Sequence, residues 1–130
     1  MQEVLKFLAE SKVFFLATAE GKQPRVRPLG FFMEYGGKLC FCTSNQKDMY
    51  KQMKDSPLVE ICATVGRDVL RVTGKAVFVT SAASKQKALE VMPALKAKYA
   101  VDDKIFEIFA VEDATATTLG ADGSKKTRQI

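Results

Sequence analysis

Apolar residues recur along this chain with two periods, one of helices and one of strands, and the changes of period divide it into elements. Over residues 2–10, Val4, Leu5, Phe7 and Leu8 fall at helical intervals, which predicts a short amphipathic helix packed on a sheet. Residues 13–18 form an apolar run of strand length, and Glu20-Gly21-Lys22 supplies a tight hairpin into a second strand over residues 23–33. A turn at residues 34–38 leads to a third strand at 39–43. Asn45 is the expected N-cap of a helix that runs to about Asp55, with Met49 and Met53 inward and Lys47, Lys51 and Lys54 on the polar side. Pro57 ends it.

The second half follows the same logic. Residues 59–65 read as a buried strand, and Gly66-Arg67-Asp68 turns it into a long strand over 69–80. Leu70, Val72, Gly74, Ala76 and Phe78 share one face of that strand, and its internal glycine predicts a bulge of the kind that curls a sheet. Ser81 or Ser84 caps a helix that Pro93 interrupts and that resumes to Tyr99. A last strand covers residues 105–111, with 114–119 extending it, and residues 120–130 read as a solvated tail. The expected fold is α+β: one domain over residues 1–119, with six antiparallel strands in a small barrel and three flanking helices.

Two segments depart from plain core patterning. Pro24-Arg25-Val26-Arg27-Pro28 places two arginines between prolines that cannot donate ladder hydrogen bonds, so the segment belongs at a sheet edge. Alternation puts Arg25 and Arg27 on one face and Val26 on the other. A charged edge that blocks aggregation and a ligand site are equally good readings. The second segment, residues 39–51, passes from strand to helix and gathers Thr43, Ser44 and Lys47 at the junction. Helix starts favour anions, so Lys47 stands on the wrong side of its own helix dipole unless an anion sits there.

Composition narrows the chemistry. With 130 residues, 47% of them hydrophobic and 27% charged, the chain can bury a core without disulfides. A net charge of +5 suits an anionic ligand without identifying one. No signal-like start or membrane-length apolar run is found, so the expected location is the cytoplasm, with no membrane partner. Cys40, Cys42 and Cys62 are an odd set within apolar runs, as reduced buried thiols would be, and with no histidine they make a poor metal site. The missing histidine also removes the usual proton carrier near neutral pH and the partners of serine and zinc hydrolase templates. An organic cofactor that carries the reaction suits the chain better, and arginines, hydroxyls and a lysine around one junction suit flavin mononucleotide (FMN).

A resemblance sharpens this. Residues 23–28, Gly37-Lys38-Leu39 through Thr43, Lys47-Asp48-Met49-Tyr50-Lys51-Gln52, Leu70-Arg71-Val72-Thr73-Gly74, and Pro93-Ala94-Leu95-Lys96 through Tyr99 resemble, in the same order, the FMN-binding split-barrel family of pyridoxamine 5'-phosphate oxidase-like proteins. The likeness extends over residues 1–119 and is nearest the short branch with nitroimidazole-resistance and general-stress proteins. It implies a six-stranded split barrel and a homodimer with FMN at the dimer interface. It also implies that Arg25, Val26, Arg27 and Pro28 line the isoalloxazine and ribityl groups, that Thr43, Ser44 and Lys47 hold the phosphate beside Cys42, and that the second subunit contributes near Phe106. Residues 120–130 lack the arginine and histidine pattern of the B6 oxidases, and no histidine matches that of the nitroimidazole-resistance proteins. The implied function is an oxidoreductase that moves electrons from a reduced donor to a small acceptor. The alternatives are a non-catalytic flavin store and a basic barrel binding nucleic acid through Arg25, Arg27, Arg71, Lys125, Lys126 and Arg128. The last lacks exposed aromatic platforms, so no nucleic-acid partner is expected.

Overall fold

The computed structural model describes residues 1–130. In chain order the elements are α1 (Gln2–Ser11), β1 (Phe14–Glu20), β2 (Gln23–Leu29), β3 (Met33–Tyr35), β4 (Lys38–Ser44), α2 (Asp48–Asp55), β5 (Leu58–Val65), β6 (Asp68–Phe78), α3 (Ala82–Val91), a 3₁₀ segment (Pro93–Ala97), β7 (Phe106–Leu119) and β8 (Lys125–Gln129). All eight strands belong to one antiparallel sheet in the order β2-β1-β5-β6-β7-β4-β3, with β8 also paired to β7. The α+β class stands, but the strand count is eight rather than six. One extra strand arises because residues 30–32 leave the β2 ladder and Met33–Tyr35 pairs with β4 instead. The other is β8, formed where a solvated tail was expected: Thr115 to Leu119 pair with Gln129 to Lys125.

β7 organises the sheet. Its first half pairs with β4 and its second half with β8, while β6 runs along its other side. The β6–β7 register shifts between Thr73 and Lys75, where the internal glycine predicted a bulge. The glycine is sterically required there, since a Cβ on Gly74 would lie 2.5 Å from Val111 Cγ1 and 2.8 Å from the Glu112 carbonyl oxygen. Opposite the bulge, Asp113 takes a positive φ of 51°.

The central strands are covered on both sides. Phe41 and Phe109 pack with Val4, Leu8, Leu16, Met53, Ile61 and Val72 in one cluster, beneath α1 and α2. Cys40 and Ile108, their neighbours in sequence, face a second cluster with Phe106, Ala88 and Leu89 beneath α3. Burial on both faces explains why residues 39–42 read as a continuous apolar run rather than an alternating one. Met49 and Met53 are buried, as their spacing predicts. No helix is long and apolar enough to cross a membrane.

Two helix starts differ in how they are capped. At α3, Ser81 is the N-cap: its hydroxyl accepts from Ser84 N–H at 3.0 Å, and Ser84 Oγ accepts from Ser81 N–H at 2.9 Å. α2 begins at Asp48 with Lys47 as N-cap and no side-chain cap, so Asn45 does not serve as expected. Its amide donates to the Lys104 carbonyl (2.8 Å) and to Glu107 Oε2 (3.0 Å), which ties the β4–α2 turn to the loop before β7.

Candidate functional site

β2 lies at the sheet edge, as its prolines require, with Arg25 opposite Thr18 and Arg27 opposite Leu16 on β1. The two arginines share the face turned toward α2, yet they are held differently. Arg25 is exposed and pairs with Glu20 through Nε (3.1 Å) and a terminal nitrogen (2.8 Å). Those hydrogen bonds and the positive charge hold the Glu20 carboxyl below its ordinary value. Arg27 is half-buried and has no carboxylate partner. One of its terminal nitrogens donates to the Leu16 carbonyl (3.2 Å) and the Thr18 hydroxyl (2.8 Å), and the other to Gln52 Oε1 (2.8 Å). Desolvation, and then the neighbouring Arg25 charge, lower its pKa.

Across the opening from β2 is the β4–α2 junction. Lys47 is exposed at the helix start, also without a carboxylate partner. Thr43 is 2% exposed, and its Oγ1 is the one buried side-chain oxygen or nitrogen without a hydrogen-bond partner. Ser44 is buried and its hydroxyl accepts from Gln46 N–H at 3.2 Å, so it shapes the turn.

These residues border two adjoining clefts. The first, about 550 Å³, is lined by the basic Arg25, Arg27 and Lys47, by the acidic Glu20 and Asp48, and by Val26, Pro28 and Gln52 among others. The second, about 280 Å³, lies between Cys42, Thr43, Lys47 and the 3₁₀ region, with Met92, Leu95, Lys98 and Tyr99 on its far wall. Pro28, Leu29 and Lys47 belong to both. Seven of the eight residues singled out in the sequence therefore converge, and Ser44 lines neither cleft. A third hollow of about 530 Å³, over Ala17, Leu58 and Thr73, contains Glu60 and Asp113 but no basic residue.

The second cleft is held by a stacked pair and a buried lysine. Tyr99 stacks on Phe106 with centroids 4.3 Å apart and planes 12° from parallel. Phe106 is fully buried in this stack. Lys85, 8% exposed, donates to the Asp103 carbonyl at 2.9 Å and lies 3.7 Å from the Asp103 carboxylate, which fixes the loop after Tyr99. Burial pushes the Cys42 thiol up to about 12 against the pull of Lys47, so Cys42 is a protonated wall residue and no thiolate nucleophile. Burial, with Cys42 and Asp103 adding to it, also raises Tyr99.

Thr18 and Gln52 escaped sequence reasoning although they anchor Arg27. The available signal was Gln52, a polar residue on the inward helical stripe between Met49 and Met53. Thr18 ends an apolar strand run and gave no signal of its own.

Residues 1–124 match the family described as pyridoxamine 5'-phosphate oxidase. The chain belongs to that family. Among solved structures, a NimC/NimA family protein of Clostridium acetobutylicum is 40% identical, with a TM-score of 0.96 over 100% of this chain and 92% of that one. General Stress Protein 26 of Bacillus anthracis is 16% identical (TM-score 0.75; 98% of this chain, 97% of that one). A pyridoxamine 5'-phosphate oxidase-related, FMN binding protein of Nostoc punctiforme is 15% identical (TM-score 0.60; 99% and 95%). At these lower identities the likeness is one of fold. No functionally curated protein matches the sequence.

Proposed function

We propose that this member of the pyridoxamine 5'-phosphate oxidase family binds FMN and passes electrons between a reduced donor and a small-molecule acceptor. The observation that carries the reading is the start of α2, which has no side-chain cap and carries Lys47, without a carboxylate partner, where the two clefts meet. Unpaired N–H groups at a helix start and a free ammonium beside them favour an anion there. The donor set fits FMN: Thr43 and Lys47, with the first turn of α2, would hold the phosphate, and Cys42 would border it. Arg25, Val26, Arg27 and Pro28 would border the ring and ribityl chain. Bound FMN would supply the electron transfer; the chain's own residues bind, orient and present positive charge. The family match and the relative of Nostoc punctiforme described as FMN binding support the reading.

The working unit in this reading is a cytoplasmic homodimer whose sheet closes as a split barrel. Phe15, Val26 and Leu58 are 47%, 68% and 70% exposed on one sheet face, an apolar surface suited to a second copy. Three unpaired cysteines accord with a reducing compartment. The basic residues needed for nucleic-acid binding are dispersed, and several are paired: Arg71 with Glu60, and Lys126 and Arg128 with Glu3.

The test is a titration of the purified chain with FMN, followed by turnover assays with nicotinamide donors and quinone or nitroaromatic acceptors. Saturable uptake with turnover is expected. Uptake without turnover favours the flavin store, and no uptake refutes the reading.

A further inference from the structure

We propose that Gln52 is a positioning residue that holds Arg27 through a neutral amide, which keeps the guanidinium fully charged and leaves one edge free for an anionic ligand in the cleft. This rests on the reading of the cleft as an anionic cofactor site and adds how its cation is kept available.

The two arginines of β2 provide the contrast. Arg25 is gripped by a carboxylate through two nitrogens, an arrangement that neutralises it. Arg27 is gripped only by neutral acceptors: the Leu16 carbonyl, the Thr18 hydroxyl and Gln52 Oε1. A guanidinium has five N–H donors. Three are engaged by these acceptors, so two remain, the Nε–H and one terminal N–H. The grip is rigid, because Thr18 and Gln52 are 4% and 6% exposed and Thr18 Oγ1 donates to Gln52 Oε1 at 2.6 Å. Gln52 Oε1 thus accepts from both β1 and β2 and fixes α2 against the edge strand that carries Arg27. A leucine here would satisfy the inward helical stripe of Met49 and Met53 but would leave Arg27 unheld. A glutamate would hold Arg27 and cancel its charge. Glutamine holds the side chain without cancelling the charge. Desolvation of an uncompensated cation raises the worth of an incoming anion, since both charges then interact in a medium less polar than water.

Gln52→Glu separates positioning from simple packing, because the side chain is isosteric and still accepts from Arg27. If Gln52 serves only the fold, the folded variant should bind FMN normally whatever its melting temperature. The proposal expects a folded variant, its gain at Arg27 offset by repulsion between the new carboxylate and nearby Glu20, with FMN affinity reduced roughly tenfold or more. Gln52→Leu, which frees Arg27, should also reduce FMN affinity. It decides the matter if the glutamate variant does not fold. Binding of FMN within about twofold of wild type by the folded variant would overturn the proposal, the factor being small beside that of one charge-assisted hydrogen bond. Inorganic pyrophosphate serves as a second probe, read by thermal shift. If wild type takes up no FMN but pyrophosphate stabilises it and Gln52→Glu abolishes the effect, the flavin reading falls and the role of Gln52 stands. A wild type that binds neither anion overturns both.

Discussion

Lys47 is the N-cap residue of α2 and lines both clefts. A cation at a helix start is disfavoured by a few tenths of a kcal/mol when nothing is bound, and a phosphate there reverses the sign. Lys47→Ala should therefore weaken FMN binding about tenfold or more, while the melting temperature of the free protein moves by no more than about 2 °C. Fluorescence titration beside a thermal melt checks both halves. A large loss of stability with FMN affinity intact would make Lys47 a structural residue. Much of this site was legible at the residue scale. Strict alternation put Arg25 and Arg27 on one face, and the polar cluster at the strand end drew attention to Thr43. That Arg25 is neutralised and Arg27 is not was not legible, because the difference depends on Glu20, Thr18 and Gln52, which converge only when β1 and α2 meet β2.

At the scale of elements, Gly74 is a position of the sheet that leaves no room for a side chain. The strand pattern pointed to a bulge, and the structure gives the reason: β7 approaches so closely that even a methyl group meets Val111 and the Glu112 carbonyl. Gly74→Ala should cost about 1–3 kcal/mol, the usual penalty of overpacking a well-filled region. Urea denaturation at fixed protein concentration would measure it, and an unchanged midpoint would contradict the close approach. Strands with strong apolar runs were readable because their burial on one or both faces is written in their composition. β3 and β8 were not, since the first has three residues and the second is Lys-Lys-Thr-Arg-Gln, whose pairing is decided by the exposed edge of β7. Asn45 shows the same limit in another form: a good capping residue is drawn off by Lys104 and Glu107, distant in sequence.

For the whole molecule, the proposed homodimer predicts that the apolar sheet face carrying Phe15, Val26 and Leu58 is covered in solution. Leu58→Asp lies outside both basic clefts and should shift the protein toward monomer, read as a halved mass by light scattering after size exclusion. A wild-type protein that is already monomeric, or a variant that remains dimeric, would contradict that interface. The most direct measurement of the central claim remains cofactor binding by the full chain. The absorption and fluorescence of FMN should change saturably on titration, with one FMN per chain, and riboflavin, which lacks the phosphate, should bind far more weakly. Absence of uptake, or equal affinity for FMN and riboflavin, would contradict a phosphate site at Thr43, Lys47 and the start of α2.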